Sequence, residues 1–449
     1  MMLASGDLPD VIAVDATQLK QLADAGQIED MTALYETYAS PFTKEILSQE
    51  GLGPFDAATI NGRLMAIPQV GSSTERAMFI WIRTDWLEKL GLKPPQTLAD
   101  VQAISKAFTE QDPDGNGIKD TYGLGITKFL WGGAMALEGF MAGYDAYPNI
   151  WVENGSGQLV YGSLQPQVKK ALEVLQTMYK NGELDPEFGM KDGGKVAEQI
   201  SNGKIGLEYG QQWNSIYPLQ LNRNQDSKAQ WQAFPIVTES GEVPKVPLPF
   251  STNVFFAVKK DVQHPEAVIK LFNLFLEKNW GQTEDFSTYY APEEAESVWQ
   301  LSPVTASPSR KNLTAFREIE EARKKGDMSQ LKGEARTIQQ KLDAFASGAK
   351  AGFALWGWER IYGPHGAQAV LDQYDRNNQF LLEKFIAGPT PTMVDRKSVL
   401  DKLQDRVFTR IIMGSPLEEF DKFVEDWNEL GGSSITREVN AWYASKRKE

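Results

Sequence analysis

The chain has 449 residues and a formal charge of -14, from 46 basic and 60 acidic residues, with no cysteine and two histidines, His264 and His365. A surface this acidic disfavours a nucleic-acid backbone or an anionic membrane as partner. The absence of thiols excludes disulfides, cysteine nucleophiles and almost every zinc site. The length exceeds one usual core and predicts two or three domains, and no apolar run approaches the roughly 20 residues that a membrane span needs.

No charged-then-apolar leader opens the sequence, which reads from its first residues as the middle of a domain. Val11 to Val14 is a short apolar strand, and a helix is expected over 18–27, ending near Gly26. The run 78–82 is apolar and β-prone, 85–90 opens a helix stopped by Gly91, and 98–108 is an amphipathic helix with Thr97 as its cap. Further helices are expected over 167–181, 196–202, 266–278 and 417–430, with strands over 205–209 and 254–258. This is α/β alternation, interrupted by a largely helical stretch from about 293 to 385.

Directly after the 98–108 helix stands Asp112-Pro113-Asp114-Gly115-Asn116-Gly117-Ile118-Lys119-Asp120. Asp112, Asp114 and Asn116 fall at the first, third and fifth positions of a calcium loop, the Ile118 carbonyl at the seventh and Asp120 at the ninth. Gly117 occupies the sharp-turn position. The twelfth position, where an EF-hand presents a bidentate glutamate, is Gly123, which argues against a regulatory EF-hand. Calcium needs oxygen ligands alone and is the metal this composition permits. The competing account is a turn held by Asx hydrogen bonds.

Several segments, in order, resemble one family: the extracellular solute-binding proteins of ABC importers that include maltose-binding protein. Ala4 to Ile12 resembles the stretch ahead of a first-lobe strand, and Asn61-Gly62-Arg63-Leu64-Met65-Ala66-Ile67-Pro68 resembles the approach to a crossover. Ile82 to Leu92, Pro95-Gln96-Thr97 and the calcium loop with Thr121-Tyr122-Gly123 resemble the branch of large lipoprotein-type oligosaccharide binders. Asn202-Gly203-Lys204-Ile205-Gly206-Leu207, with Gly210 and Trp213, resembles the segment carrying a ligand-stacking tryptophan. Ile412-Met413-Gly414 through Trp427 to Gly432 resembles a C-terminal helix pair. Against the family pattern, the signal peptide, the lipid-bearing cysteine and the first strand and helix of lobe 1 are missing ahead of the opening segment.

The resemblance implies an α/β, two-lobed, type II periplasmic-binding-protein-like fold with a helical extension. The N-terminal lobe is expected over 1–76 and 254–389, with the extension over about 293–385, and the C-terminal lobe over 77–253 and 390–449. Crossovers fall near 69–77, 250–254 and 389–392. Ligand would be held between the lobes, which close about a hinge. The implied partners are an oligosaccharide or other sugar and the membrane permease subunits of an ABC transporter. The implied location is extracellular, as a cell-surface lipoprotein or in the periplasm, and the implied state is a monomer with structural calcium.

Trp213 is the expected sugar platform. Trp131, in the glycine-flanked run Phe129-Leu130-Trp131-Gly132-Gly133, reads either as a second platform or as a core residue. Trp356 and Trp358 flank Gly357 and point to opposite sides if extended, so that one of them at most meets sugar. Asp15 and Glu75 stand at strand ends, where α/β folds gather ligands, and Asn253 stands at a crossover. Arg310 would pair with a uronate carboxylate. Each polar candidate also reads as an ordinary surface residue. The rival function is a calcium-containing glycoside hydrolase or polysaccharide lyase, which needs two carboxyls roughly 5 to 10 Å apart. Neither histidine stands in a catalytic motif and no Gly-x-Ser-x-Gly elbow occurs, which favours a binder without a catalytic step.

Overall fold

A computed structural model describes residues 8–292 and 297–447. The first residues of the N-terminal match and the head of the expected helical stretch, 293–296, lie outside them. The chain divides into two compact units, one comprising residues to Thr74, Phe250–Thr337 and Ile386–Val394, the other Glu75–Pro249, Ile338–Phe385 and the segment from Asp395 onward.

In the first unit a three-stranded sheet runs in the order Val11–Val14, Phe255–Val258, Ile67–Pro68. Both pairings are antiparallel, with Val14 opposite Phe255 and Phe255 opposite Pro68. The central strand is buried along its whole length, as its unbroken apolar sequence requires. Pro68, which has no amide to donate, stands in an edge strand. Helix Ala267–Trp280 buries Val268, Ile269, Phe272, Phe275 and Leu276, one apolar stripe at helical spacing. Asn61 and Gly62 both take positive φ, 52° and 75°, in the two-residue turn joining Thr59–Ile60 to Arg63–Leu64, the backbone that Asn-Gly supplies at least cost.

The second unit is built on a four-stranded sheet in the order Trp231–Phe234, Phe79–Arg83, Ile205–Gly210, Tyr122–Gly125, of which only the last pairing is parallel. The two central strands are buried throughout. Helix Leu98–Glu110 is held at its start by a reciprocal Thr97 and Asp100 capping box. It packs on the sheet so closely that a Cβ on Gly206 would stand 2.3 Å from the Phe108 ring and 2.6 Å from that of Trp86. Glu418–Trp427 continues through a π turn, Asn428–Gly432, into Ser433–Lys446, where one helix was expected over 417–430. A Cβ on Gly432 would lie 1.9 Å from the Trp427 indole, which in turn stacks on Tyr161 at 5.2 Å.

Residues 338–385 belong to the second unit, whereas the sequence reading allotted them to the first lobe. Strand Phe380–Leu382 pairs in parallel with Val246–Leu248. Tyr374 stacks on Phe79 at 5.8 Å and accepts the Ile236 amide at 2.7 Å. Helical periodicity shows that these helices bury a face; it does not say against which partner. Among the described residues no helix is long and apolar enough to cross a membrane.

Candidate functional site

At the end of the buried strand Ile205–Gly210 the chain enters a short helical turn, Gln212–Ser215, that leaves the Trp213 side chain 39% exposed. An indole this large at the surface is held rather than loose. Its Nε1 donates to Gln211 Oε1 at 2.8 Å, and the Cζ2 edge of its ring stands against Gly133, where a Cβ would lie 2.7 Å from Cζ2. The Gly133 carbonyl accepts the Gln211 amide and the Asn214 Nδ2, both at 2.9 Å. A flat apolar ring with a fixed polar edge is the surface that a sugar face and its hydroxyls match.

Trp131 precedes this glycine pair, but its half-buried indole turns to the helix Pro391–Ile412, donating to Asp405 Oδ1 at 2.8 Å and meeting Phe408 edge-on at 6.1 Å. Trp356 and Trp358 lie on helix Trp356–Tyr362, not on extended chain. The Trp356 ring is 1% exposed, so it offers no free face. Trp358 is half-buried and engaged by the Lys341 ammonium, 3.5 Å from its ring centroid, and by Tyr362 stacked at 6.0 Å. The segment is nevertheless tied to the Trp213 turn. Ser215 Oγ donates to the Gly357 carbonyl at 2.8 Å, and the Gly357 amide donates to Gln220 Oε1 at 2.9 Å.

The polar candidates are dispersed. Asp15 caps helix Ala16–Asp24 in a capping box with Gln18, its Oδ1 taking the Gln18 amide at 2.8 Å. The helix therefore begins two residues earlier than expected. Glu75 is half-buried in the short turn Ser73–Arg76. Asn253 and Arg310 are exposed in the first unit. Arg310 lies near Glu50, whose carboxyl burial pushes above the ordinary carboxylate range.

Two glutamates that sequence reading passed over hold amides of the loop that carries Gly133. Glu208, 0% exposed and opposite Trp81 in the sheet, accepts the Met135 amide through Oε2 at 3.0 Å, while its Oε1 has no hydrogen-bond partner among the described residues. Burial pushes its carboxyl up to about 8. Glu138 accepts the Gly132 amide at 2.9 Å, and burial pushes it to about 7. The one legible signal was the lone carboxylate in the otherwise uncharged strand Ile-Gly-Leu-Glu-Tyr-Gly.

The oxygen-rich loop is wound about its own side chains. The Asp112 carboxylate takes the amides of Gly115, Asn116 and Gly117 at 3.0 to 3.1 Å. Asn116 Nδ2 donates to Asp114 at 2.7 Å and to Asp120 at 3.1 Å. The Ile118 carbonyl accepts the Asp120 amide at 3.1 Å. Lys204 sets its ammonium 2.5 Å from Asp120 Oδ2 and 3.5 Å from Asp114 Oδ2, and that hydrogen bond holds the Asp120 carboxyl below its usual range. Among the described residues no three His, Asp or Glu side chains form a ready metal cluster.

The family model for bacterial extracellular solute-binding proteins matches residues 1–282. Lipoprotein LipO of Bacillus subtilis is 30% identical over 210 residues, a match spanning 46% of this chain and 40% of LipO, less than half that relative's length. The polygalacturonan/rhamnogalacturonan-binding protein YtcQ of the same organism is 22% identical over 97% of this chain and 80% of its own. Among solved structures, the EF-hand mutant of the Streptococcus pneumoniae ABC-transporter substrate-binding protein FusA, in complex with fructo-nystose, superposes with a TM-score of 0.64 at 17% identity, covering 100% of this chain and 90% of that one. At that identity the likeness is one of fold.

Proposed function

The chain belongs to the family of bacterial extracellular solute-binding proteins, and from this premise we propose that it is the oligosaccharide-capturing subunit of an ABC importer, binding its sugar and releasing it unchanged to membrane permease subunits. The observation that carries this reading is the half-exposed Trp213 ring, abutting Gly133 and fixed at its Nε1 by Gln211. Ring stacking supplies affinity without chemistry, and the half-buried Gln211 offers a side-chain amide to hydroxyls. Trp131, Trp358, Glu75, Asp15, Asn253 and Arg310 are the further contacts proposed for ligand; Trp356, buried on the same helix as Trp358, is not among them. Relatives that bind polygalacturonan or carry a bound fructooligosaccharide support a sugar of several units.

Calcium is proposed as a structural ion of the loop Asp112, Asp114, Asn116, Ile118 and Asp120. The donors are all oxygen, as calcium requires, and a cationic ammonium already rests between Asp114 and Asp120. Asp112, Asp114, Asn116 and Asp120 would hold the ion, which would brace the turn leading into strand Tyr122–Gly125.

The test is a thermal-shift screen against fructo-nystose, trigalacturonate and a wider oligosaccharide panel, followed by chromatography of the recovered sugar. A stabilising sugar recovered intact supports the binder. A sugar that stabilises the protein and is cleaved returns the reading to a hydrolase or lyase.

A further inference from the structure

The loop between Leu130 and Glu138 carries Gly133, against which the edge of the Trp213 ring stands, and its amides are fixed one after another. Leu137 donates to the Leu130 carbonyl at 2.8 Å and Ala136 to the Tyr209 carbonyl at 3.1 Å. Met135 donates to Glu208 at 3.0 Å. These bonds tie the far side of the loop to itself and to the central strand. The near side is a pair of glycines, and Gly132 is exposed with φ at 132°, a backbone that other residues rarely adopt. The Gly133 carbonyl is held by the Gln211 amide and Asn214 Nδ2, but Gly132, free to sample many conformations, is fixed by Glu138, which accepts its amide at 2.9 Å from the first turn of helix Glu138–Ala142.

We propose that Glu138 is a positioning residue for the ligand platform: its carboxyl fixes the Gly132 amide, and through it the Gly132–Gly133 backbone against which the edge of the Trp213 ring stands, and so helps set the position at which that ring meets a sugar. The proposal's sugar rests on the function argued above; its geometry does not. Glu138 Oε2 is shut off from solvent and has no hydrogen-bond partner among the described residues, an arrangement that costs stability. An apolar residue would fill the space without that cost. What it would lack is the acceptor for Gly132.

The full chain carrying Glu138→Ala or Glu138→Gln tests this by hydrogen exchange at residue 132 and by Trp213 emission, the latter isolated by difference against the same chains with Trp213→Phe. The Ala variant is expected to speed exchange of the Gly132 amide about tenfold or more, to shift the Trp213 emission, and to weaken any fructo-nystose or trigalacturonate binding by a similar factor. The Gln variant, whose side-chain oxygen accepts the same amide, is expected to restore all three. Wild-type exchange and emission in the Ala variant overturn the proposal, as does a Gln variant no better than Ala. Should the Ala variant fail to fold, Glu138→Leu, which fills the volume without an acceptor, carries the same readings. If the wild type binds neither probe sugar, the sugar reading fails on its own, and exchange with emission still decides the role of Glu138.

Discussion

The Trp213 indole abuts Gly133 at its Cζ2 edge, with so little room that a single added carbon there would stand 2.7 Å from the ring. Gly133→Ala must therefore lift or tilt the ring. The substitution is expected to weaken oligosaccharide binding about tenfold, or about 1.4 kcal/mol, and to change the near-ultraviolet circular dichroism of the free protein. An unchanged spectrum with unchanged affinity would show that the ring does not depend on this seat.

A calcium ion in the loop, as proposed, would compete with Lys204 for the same carboxylates, since the ammonium lies 2.5 Å from Asp120 and 3.5 Å from Asp114. Chelation is expected to lower the midpoint of thermal unfolding, because an ion bound only to the folded state stabilises it by mass action, and to leave sugar affinity nearly unchanged. Lys204→Met should tighten calcium binding, measured by titration calorimetry, and enlarge the effect of the chelator. Equal loss of stability and sugar affinity on chelation would make the ion part of the ligand site.

Glu208 gives stability a pH dependence of known sign. Burial raises its carboxyl from 4.5 to about 8, so the folded chain keeps a proton that the unfolded chain releases. Its contribution is complete below about pH 4.5, declines as pH rises, and is lost above about pH 8. At about 1.4 kcal/mol per pKa unit, the span is on the order of a few kcal/mol. Glu208→Gln retains an acceptor for the Met135 amide and does not titrate. Urea unfolding of the two proteins should agree near pH 5 and diverge in favour of the variant toward pH 8 and above; parallel curves would refute a buried neutral Glu208.

Gly206 faces the Phe108 and Trp86 rings at distances no Cβ tolerates. Gly206→Ala is expected to destabilise the protein by about 1 to 3 kcal/mol through overpacking, read as a lower urea midpoint at unchanged slope. A neutral result would mean that the helix Leu98–Glu110 yields without cost.

Local features of this protein are written in its sequence because neighbours along the chain decide them. Thr97 with Asp100 starts a helix, Asn61-Gly62 turns a hairpin, an uncharged apolar run becomes the central strand Phe255–Val258, and alternating Asp and Asn around glycines wind into an oxygen-lined loop. The family resemblance was carried by such segments as well. The platform was half legible: Trp213 follows a buried strand, but nothing near it in sequence names Gly133, 80 positions away, as the residue its edge abuts.

Only the tertiary structure decided which long-range partner each side chain meets. Lys204 reaches Asp120 across 84 positions and Trp131 reaches Asp405 across 274, and the helices after residue 338 joined the second unit rather than the first. Trp356 and Trp358 read alike in sequence, yet helical backbone sent one into the core and left the other beneath a lysine. Periodicity fixes that a face is buried, and capping fixes where a helix begins. The identity of the covering surface is a property of how distant segments pack, which no local pattern encodes.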